Sequence, residues 1–207
     1  MRVRLAVFAS GGGTNLQAIL DHARAPAARY RVALVIGDRP GAGAIARASD
    51  AGVPARVVPV AGRGAAEVEA DLLDALGSHD IDLIALAGYL RLVPRGVVAR
   101  YRGRIVNIHP APLPRFGGKG MYGERVHRAV LEAGVGSSGP TVHRVDEEYD
   151  RGAVLAHEPV PVLPDDTVET LAARVLEREH ALYPRVLDRL AVEIGTPSGA
   201  AHPRQGE

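Results

Sequence analysis

Short runs rich in Val, Ile and Leu alternate with longer stretches of helical period through the first half of the chain, and this alternation constrains the fold most. Near-continuous apolar runs mark strands buried on both faces, and the helices between them supply the crossovers that a parallel sheet requires. Strands are predicted at 3–9, 32–36, 55–58, 83–86 and 105–108, with helices near 15–24, 43–51, 65–76 and 94–100. After Pro110 the pattern changes. Strands expected near 141–144 and 154–160 follow each other with no helix between them, which predicts an antiparallel extension. A long helix is expected over about 168–190, with Val168, Leu171, Val175, Leu182 and Leu187 on its core face. The fold class that follows is α/β: a Rossmann-like open, mostly parallel sheet with helices on both faces and a C-terminal antiparallel extension. Residues 1–190 are read as one domain, and 195–207, rich in Gly, Pro and Ala, as a loose tail.

Charge and composition narrow the function classes. Lys plus Arg is 25 against 24 for Asp plus Glu, a formal net charge of +1, so no global field favours nucleic acid or an anionic membrane. Any anion recognition must be local. No apolar run reaches the roughly 18 residues of a membrane span, and the stretch after Met1 is too short for a secretory signal, so a cytoplasmic location is expected. The absence of cysteine removes disulfides, thiolate catalysis and Cys-ligated zinc. No metal site is expected, since no HExxH or similar helical pair occurs; His127 and His143 are read as structural, with His143 able to buttress a site.

Three segments carry chemistry. Ser10-Gly11-Gly12-Gly13-Thr14-Asn15 stands where the first strand turns into the first helix, so backbone N–H groups and the helix dipole there favour a phosphate. A plain tight turn is the bland alternative. A dinucleotide site needs a third glycine where Leu16 stands, and only Asp38, at the end of the second strand, favours it. Asn107-Ile108-His109-Pro110 ends the fifth strand, and the period of two puts Asn107 and His109 on one side, at the edge that faces the ligand crevice. An amide and an imidazole can there hold an oxyanion and move a proton. The third segment is the acidic loop Asp146-Glu147-Glu148-Tyr149-Asp150-Arg151-Gly152. One of its carboxylates, turned inward, would orient His109 and raise its pKa; spacing leaves Asp146 and Asp150 both open.

These segments, together with Leu16-Gln17-Ala18-Ile19, Leu86-Ala87-Gly88-Tyr89-Leu90-Arg91 and Thr141-Val142-His143, resemble the phosphoribosylglycinamide formyltransferase family over about residues 3 to 190. The resemblance implies a catalytic trio of Asn107, His109 and Asp150, and so selects Asp150. It implies substrate-phosphate binding by Gly12, Gly13, Thr14 and Asn15, with Glu179 on the ribose. A folate pocket is implied at Leu90, Arg91, Leu92, Val93, Asn107, Asp146, Glu147, Glu148, Tyr149 and Asp150, with Arg63 on the folate side chain. The implied ligands are glycinamide ribonucleotide and the co-substrate 10-formyltetrahydrofolate, with no metal, no nucleic acid and no membrane; the implied assembly is a monomer or homodimer. The segment Arg115-Phe116-Gly117-Gly118-Lys119-Gly120-Met121-Tyr122-Gly123 departs from the commoner family pattern and reads as a mobile, glycine-rich flap in which Lys119 is the candidate substrate contact. Other folate-dependent formyltransferases and hydrolases share the Asn-His-Asp core but add a further domain for which this chain has no space. A non-catalytic nucleotide-binding module is the alternative from another class.

Overall fold

A computed structural model describes residues 1–195. In chain order its elements are β1 (Val3–Ala9), α1 (Thr14–Ala23), β2 (Tyr30–Gly37), α2 (Gly43–Asp50), β3 (Ala55–Val57), α3 (Ala65–Ser78), β4 (Leu83–Leu86), α4 (Arg95–Arg100) and β5 (Ile105–His109). There follow α5 (Glu124–Glu132), β6 (Ser137–Ser138), β7 (Thr141–Arg144), β8 (Val154–His157), β9 (Val160–Pro161) and α6 (Val168–Gly195). The main sheet has seven strands in the order β3-β2-β1-β4-β5-β7-β8. The first five run parallel, while β7 is antiparallel to β5 and β8 to β7, as the change of pattern after Pro110 predicts.

The period of two in β1 divides the core. Leu5, Val7 and Ala9 pack against α1, α2 and α6 on one face, whereas Ala6 and Phe8 pack against α3 and α4 on the other. A third cluster joins Val126 and Val130 of α5 to Leu171 and Val175 of α6 and to Phe116. Strand order reverses between β1 and β4, so the crevice of this sheet opens beyond the carboxyl ends of β1, β4 and β5. Tyr183 of α6 fastens the floor of that crevice: its buried hydroxyl lies 3.0 Å from the carbonyls of both Leu86 and Val106.

Three elements depart from expectation. Helix α5 is not predicted by the sequence reading, because Gly123 gives it no side-chain cap and its buried face carries His127 between Val126 and Val130. The single strand expected over 154–160 is split. Pro159 has no N–H to continue a ladder, so β8 ends at His157 on the main sheet and β9 pairs instead with β6. Helix α6 extends to Gly195, past the expected end near Leu190, and it buries Leu171, Val175, Leu182 and Leu187 but only partly buries Val168. Gly195 therefore belongs to a helix, and the rest of the expected tail lies outside the described residues. No helix among the described residues is long and apolar enough to cross a membrane.

Candidate active site

The glycine-rich turn occupies the end of β1. Gly13 caps α1 with φ 74°, and a Cβ there would meet the Ala44 Cα of α2 at 2.8 Å, so this position needs glycine twice over. Among the described residues the backbone amides of Gly12, Gly13, Thr14 and Asn15 donate to no acceptor. A loop of free amides at the N-terminus of a ten-residue helix is suited to an anion. Asp38 is buried and closed off from any ribose, since its Oδ2 accepts a 2.8 Å bond from Arg91 Nε. That pairing removes the one feature that favoured a dinucleotide.

Asn107, His109 and Asp150 come together at the end of β5. Register sets Asn107 opposite His143 and His109 opposite Thr141 on β7. His109 is 3% exposed, its Nε2 is 2.8 Å from the Phe116 carbonyl, and its Nδ1 is 3.7 Å from Asp150 Oδ2. Because a carbonyl only accepts, Nε2 carries the proton of the neutral ring and Nδ1 is the atom free to take or give one. Asp150 adopts φ 55°, accepts a 2.9 Å bond from the Gly118 N–H through Oδ2, and brings Oδ1 within 3.4 Å of His143 Nε2. His143 in turn donates from Nδ1 to the Arg144 carbonyl at 2.8 Å, and its Nε2 lies 3.1 Å from the Asn107 Nδ2. This fixes the Asn107 amide while leaving its second N–H without a partner among the described residues.

The electrostatics correct one expectation. Asp150 does pull the His109 pKa upward, but burial outweighs it, and the imidazole is held below its ordinary value. His109 is therefore neutral in the resting site at pH 7. Burial alone would raise the Asp150 carboxyl, yet the approach of His143, the hydrogen bond from Gly118 and the positive charge that either nearby imidazole can take together hold it below the usual range. The site thus places a carboxylate beside a neutral imidazole, an arrangement that favours a positive charge if one forms at Nδ1.

A cleft of about 580 Å³ runs over this centre, lined by Asn15, Asn107, His109, Asp150 and Glu179 and, of the expected folate contacts, by Leu90, Arg91, Leu92, Val93, Asp146, Glu148 and Tyr149. Ser10 holds one wall in place, its Oγ accepting the Leu90 N–H at 3.0 Å. Glu179 is buried, accepts a 2.6 Å bond from Asn15 Nδ2, and is pushed up to about 7 by burial against the pull of that bond. Five expected residues, Gly12, Gly13, Thr14, Arg63 and Glu147, lie apart from this lining. Arg63 is paired with Glu67 and Asp71 along α3, Glu147 lies 3.5 Å from Arg95, and Thr14 faces a shallower groove beside Arg47 and His180. The glycine-rich flap is more than a cover. Gly118 supplies a bond to Asp150, and a Cβ on Gly117 would stand 2.8 Å from the Asp150 Cβ and 2.4 Å from Leu113 Cδ2. Gly117→Ala is accordingly expected to cost about 1–3 kcal/mol and to lower kcat by displacing Asp150; an unchanged melting curve and rate would contradict this packing. Sequence reading missed the Phe116 carbonyl and the Gly118 amide, since backbone partners leave no trace in side-chain identity.

Comparison with known proteins gives a consistent result. The formyl transferase family model matches residues 3–187. The phosphoribosylglycinamide formyltransferase of Haemophilus influenzae is 35% identical over 98% of this chain and 97% of its own length. The chloroplastic phosphoribosylglycinamide formyltransferase of Arabidopsis thaliana is 44% identical over 93% of this chain, which spans 66% of that relative's length. In structure, glycinamide ribonucleotide transformylase 1 from Symbiobacterium toebii superposes with a TM-score of 0.87 at 41% identity, covering 93% of this chain and 89% of that one. This chain belongs to the formyl transferase family.

Proposed function

We propose that this chain transfers the formyl group of 10-formyltetrahydrofolate to the amine of glycinamide ribonucleotide, in the cytoplasm and in the service of purine synthesis. The observation that carries the reading is the convergence of Asn107, His109 and Asp150 in one cleft that Asn15, the last residue of the glycine-rich turn, also lines. The relatives at 35% and 44% identity bear the name of this activity.

The neutral amine of the ribonucleotide attacks the formyl carbon, and the carbonyl oxygen becomes an oxyanion. Asn107 donates its second amide N–H to that oxygen. The proton released by the amine passes to His109 Nδ1, and the imidazolium so formed lies between the oxyanion and Asp150. The same proton then goes to the folate nitrogen as the carbon–nitrogen bond breaks, which leaves tetrahydrofolate and the formylated nucleotide with no enzyme-bound intermediate. Because burial keeps His109 neutral beforehand, the attraction of Asp150 is realised mainly when charge develops, which favours the transition state over the ground state. The carboxylate of Glu179 accepts from the ribose hydroxyls, and the exposed Leu90 and Leu92 give the pterin apolar walls.

Comparing the ribonucleotide with its dephosphorylated riboside tests the reading. Loss of several charge-assisted hydrogen bonds predicts a KM for the riboside higher by about a hundredfold or more. Equal KM values for the two would remove the anion site, and no formyl transfer to either would remove the function.

A further inference from the structure

Helix α2 stands directly behind the glycine-rich turn, and it grips the turn's carbonyls. Ala44 donates its N–H to Gly11 O at 3.2 Å, and Arg47 donates Nε–H to Gly12 O at 2.8 Å. The C=O and N–H of one planar peptide point in opposite directions. Holding the Gly11 and Gly12 carbonyls against α2 therefore turns the N–H groups of Gly12 and Gly13 away from it, to the open side of the turn. The approach is close enough that a Cβ on Gly43 would sit 3.1 Å from Gly12 O and one on Gly13 2.8 Å from Ala44 Cα, so the grip depends on Gly43 in α2 and Gly13 in the turn.

Arg47 is held for this task. Its Nη1 donates to Gln17 Oε1 at 3.0 Å, and Gln17 Nε2 donates to Asp21 Oδ1 at 3.0 Å, so a chain of hydrogen bonds along α1 fixes the guanidinium. Arg47 makes no ion pair with a carboxylate among the described residues. Its charge is thus left largely uncompensated just behind four free amides, where it adds to the field of the α1 N-terminus. It does not line the main cleft.

We propose that Arg47 is a positioning residue for the substrate's phosphate: it locks the Gly12–Gly13 peptide with its N–H outward and places a fixed positive charge behind the anion. This rests on the phosphate reading of the turn given above. Arg47 acts through the turn's backbone and leaves the reacting atoms to Asn107, His109 and Asp150.

The experiment measures KM and kcat for the ribonucleotide and the riboside with wild type, Arg47→Met and Arg47→Lys, alongside melting curves. Arg47→Met is expected to raise the ribonucleotide KM roughly tenfold to a hundredfold, the range for losing a hydrogen bond from a charged group, with kcat and the riboside KM nearly unchanged. Arg47→Lys keeps the charge and one donor and should recover part of the loss. A purely structural arginine would lower the melting temperature while leaving the preference for the ribonucleotide intact. That result, a folded Arg47→Met or Arg47→Lys with the wild-type preference, overturns the proposal. If Arg47→Met does not fold, Arg47→Lys alone decides, by a reduced preference or an unchanged one. A wild type that transfers formyl but shows no preference for the ribonucleotide defeats the phosphate reading and this inference together, with the transfer activity still standing.

Discussion

His109→Ala is expected to fold and to bind both ligands while turning over roughly 10² to 10⁴ more slowly, the range for a lost acid-base group or oxyanion donor. Asn107→Ala should fall in the same range, through loss of the amide that meets the oxyanion. Asp150→Asn is the more discriminating change. It keeps the shape that accepts the Gly118 N–H but removes the carboxylate beside Nδ1, so the imidazolium formed during transfer loses its partner. With that upward pull gone, the already depressed His109 pKa drops further, and kcat falls with KM little altered. A melting curve must accompany each variant, because unfolding would also abolish turnover. Near-normal kcat in a folded His109→Ala enzyme would remove His109 from the chemistry.

The second large effect concerns stability. Glu179 is 7% exposed and its carboxyl is pushed up to about 7, so the folded chain keeps a proton that the unfolded chain releases near its ordinary value of 4.5. The folded state then binds more protons between these values, and stability falls as pH rises from about 4.5 to about 7, levelling off above. Glu179→Gln carries no such charge and can still accept from Asn15. It should be more stable than wild type at pH 8 by about 3 kcal/mol, a rise in melting temperature of roughly 5–10 °C, and should gain nothing at pH 4. The gain has a cost, because the amide is a poorer acceptor for ribose hydroxyls and the ribonucleotide KM should rise. Equal melting temperatures at pH 8 would show that Glu179 is not held protonated by burial. A protein that retains such a carboxylate at the expense of stability has the pattern expected of a binding site.

Much of the frame was legible because its signals are local and strong. The apolar runs of β1, β2 and β4 are continuous over four residues or more, β5 opens on the apolar pair Ile105-Val106, and the spacing within the first helices is regular. Helix α5 escaped because its buried face is short and includes a histidine. The split of β8 from β9 turns on one proline amid apolar residues. Within the site, strand period alone set Asn107 and His109 side by side, but the choice between Asp146 and Asp150 was not local. It depends on how the loop closes over Gly117 and Gly118, which spacing does not encode. The rise expected for the His109 pKa had the right sign for Asp150 and omitted the larger effect of burial, which only packing reveals. Arg63 illustrates the reverse case. Glu67 and Asp71 follow it at intervals of four, so the helix that begins at Ala65 supplies its partners, a pattern present in the sequence beside the family resemblance.

The most direct measurement of the central claim follows the carbon itself. With 10-formyltetrahydrofolate labelled at the formyl carbon and unlabelled glycinamide ribonucleotide, carbon NMR distinguishes the formyl amide of the nucleotide from free formate. The label is expected on the nucleotide amine, in step with tetrahydrofolate release, with the signal slowed by orders of magnitude in His109→Ala and Asp150→Asn. Label appearing as formate regardless of the ribonucleotide, or no loss of label from the folate at all, would contradict formyl transfer at Asn107, His109 and Asp150.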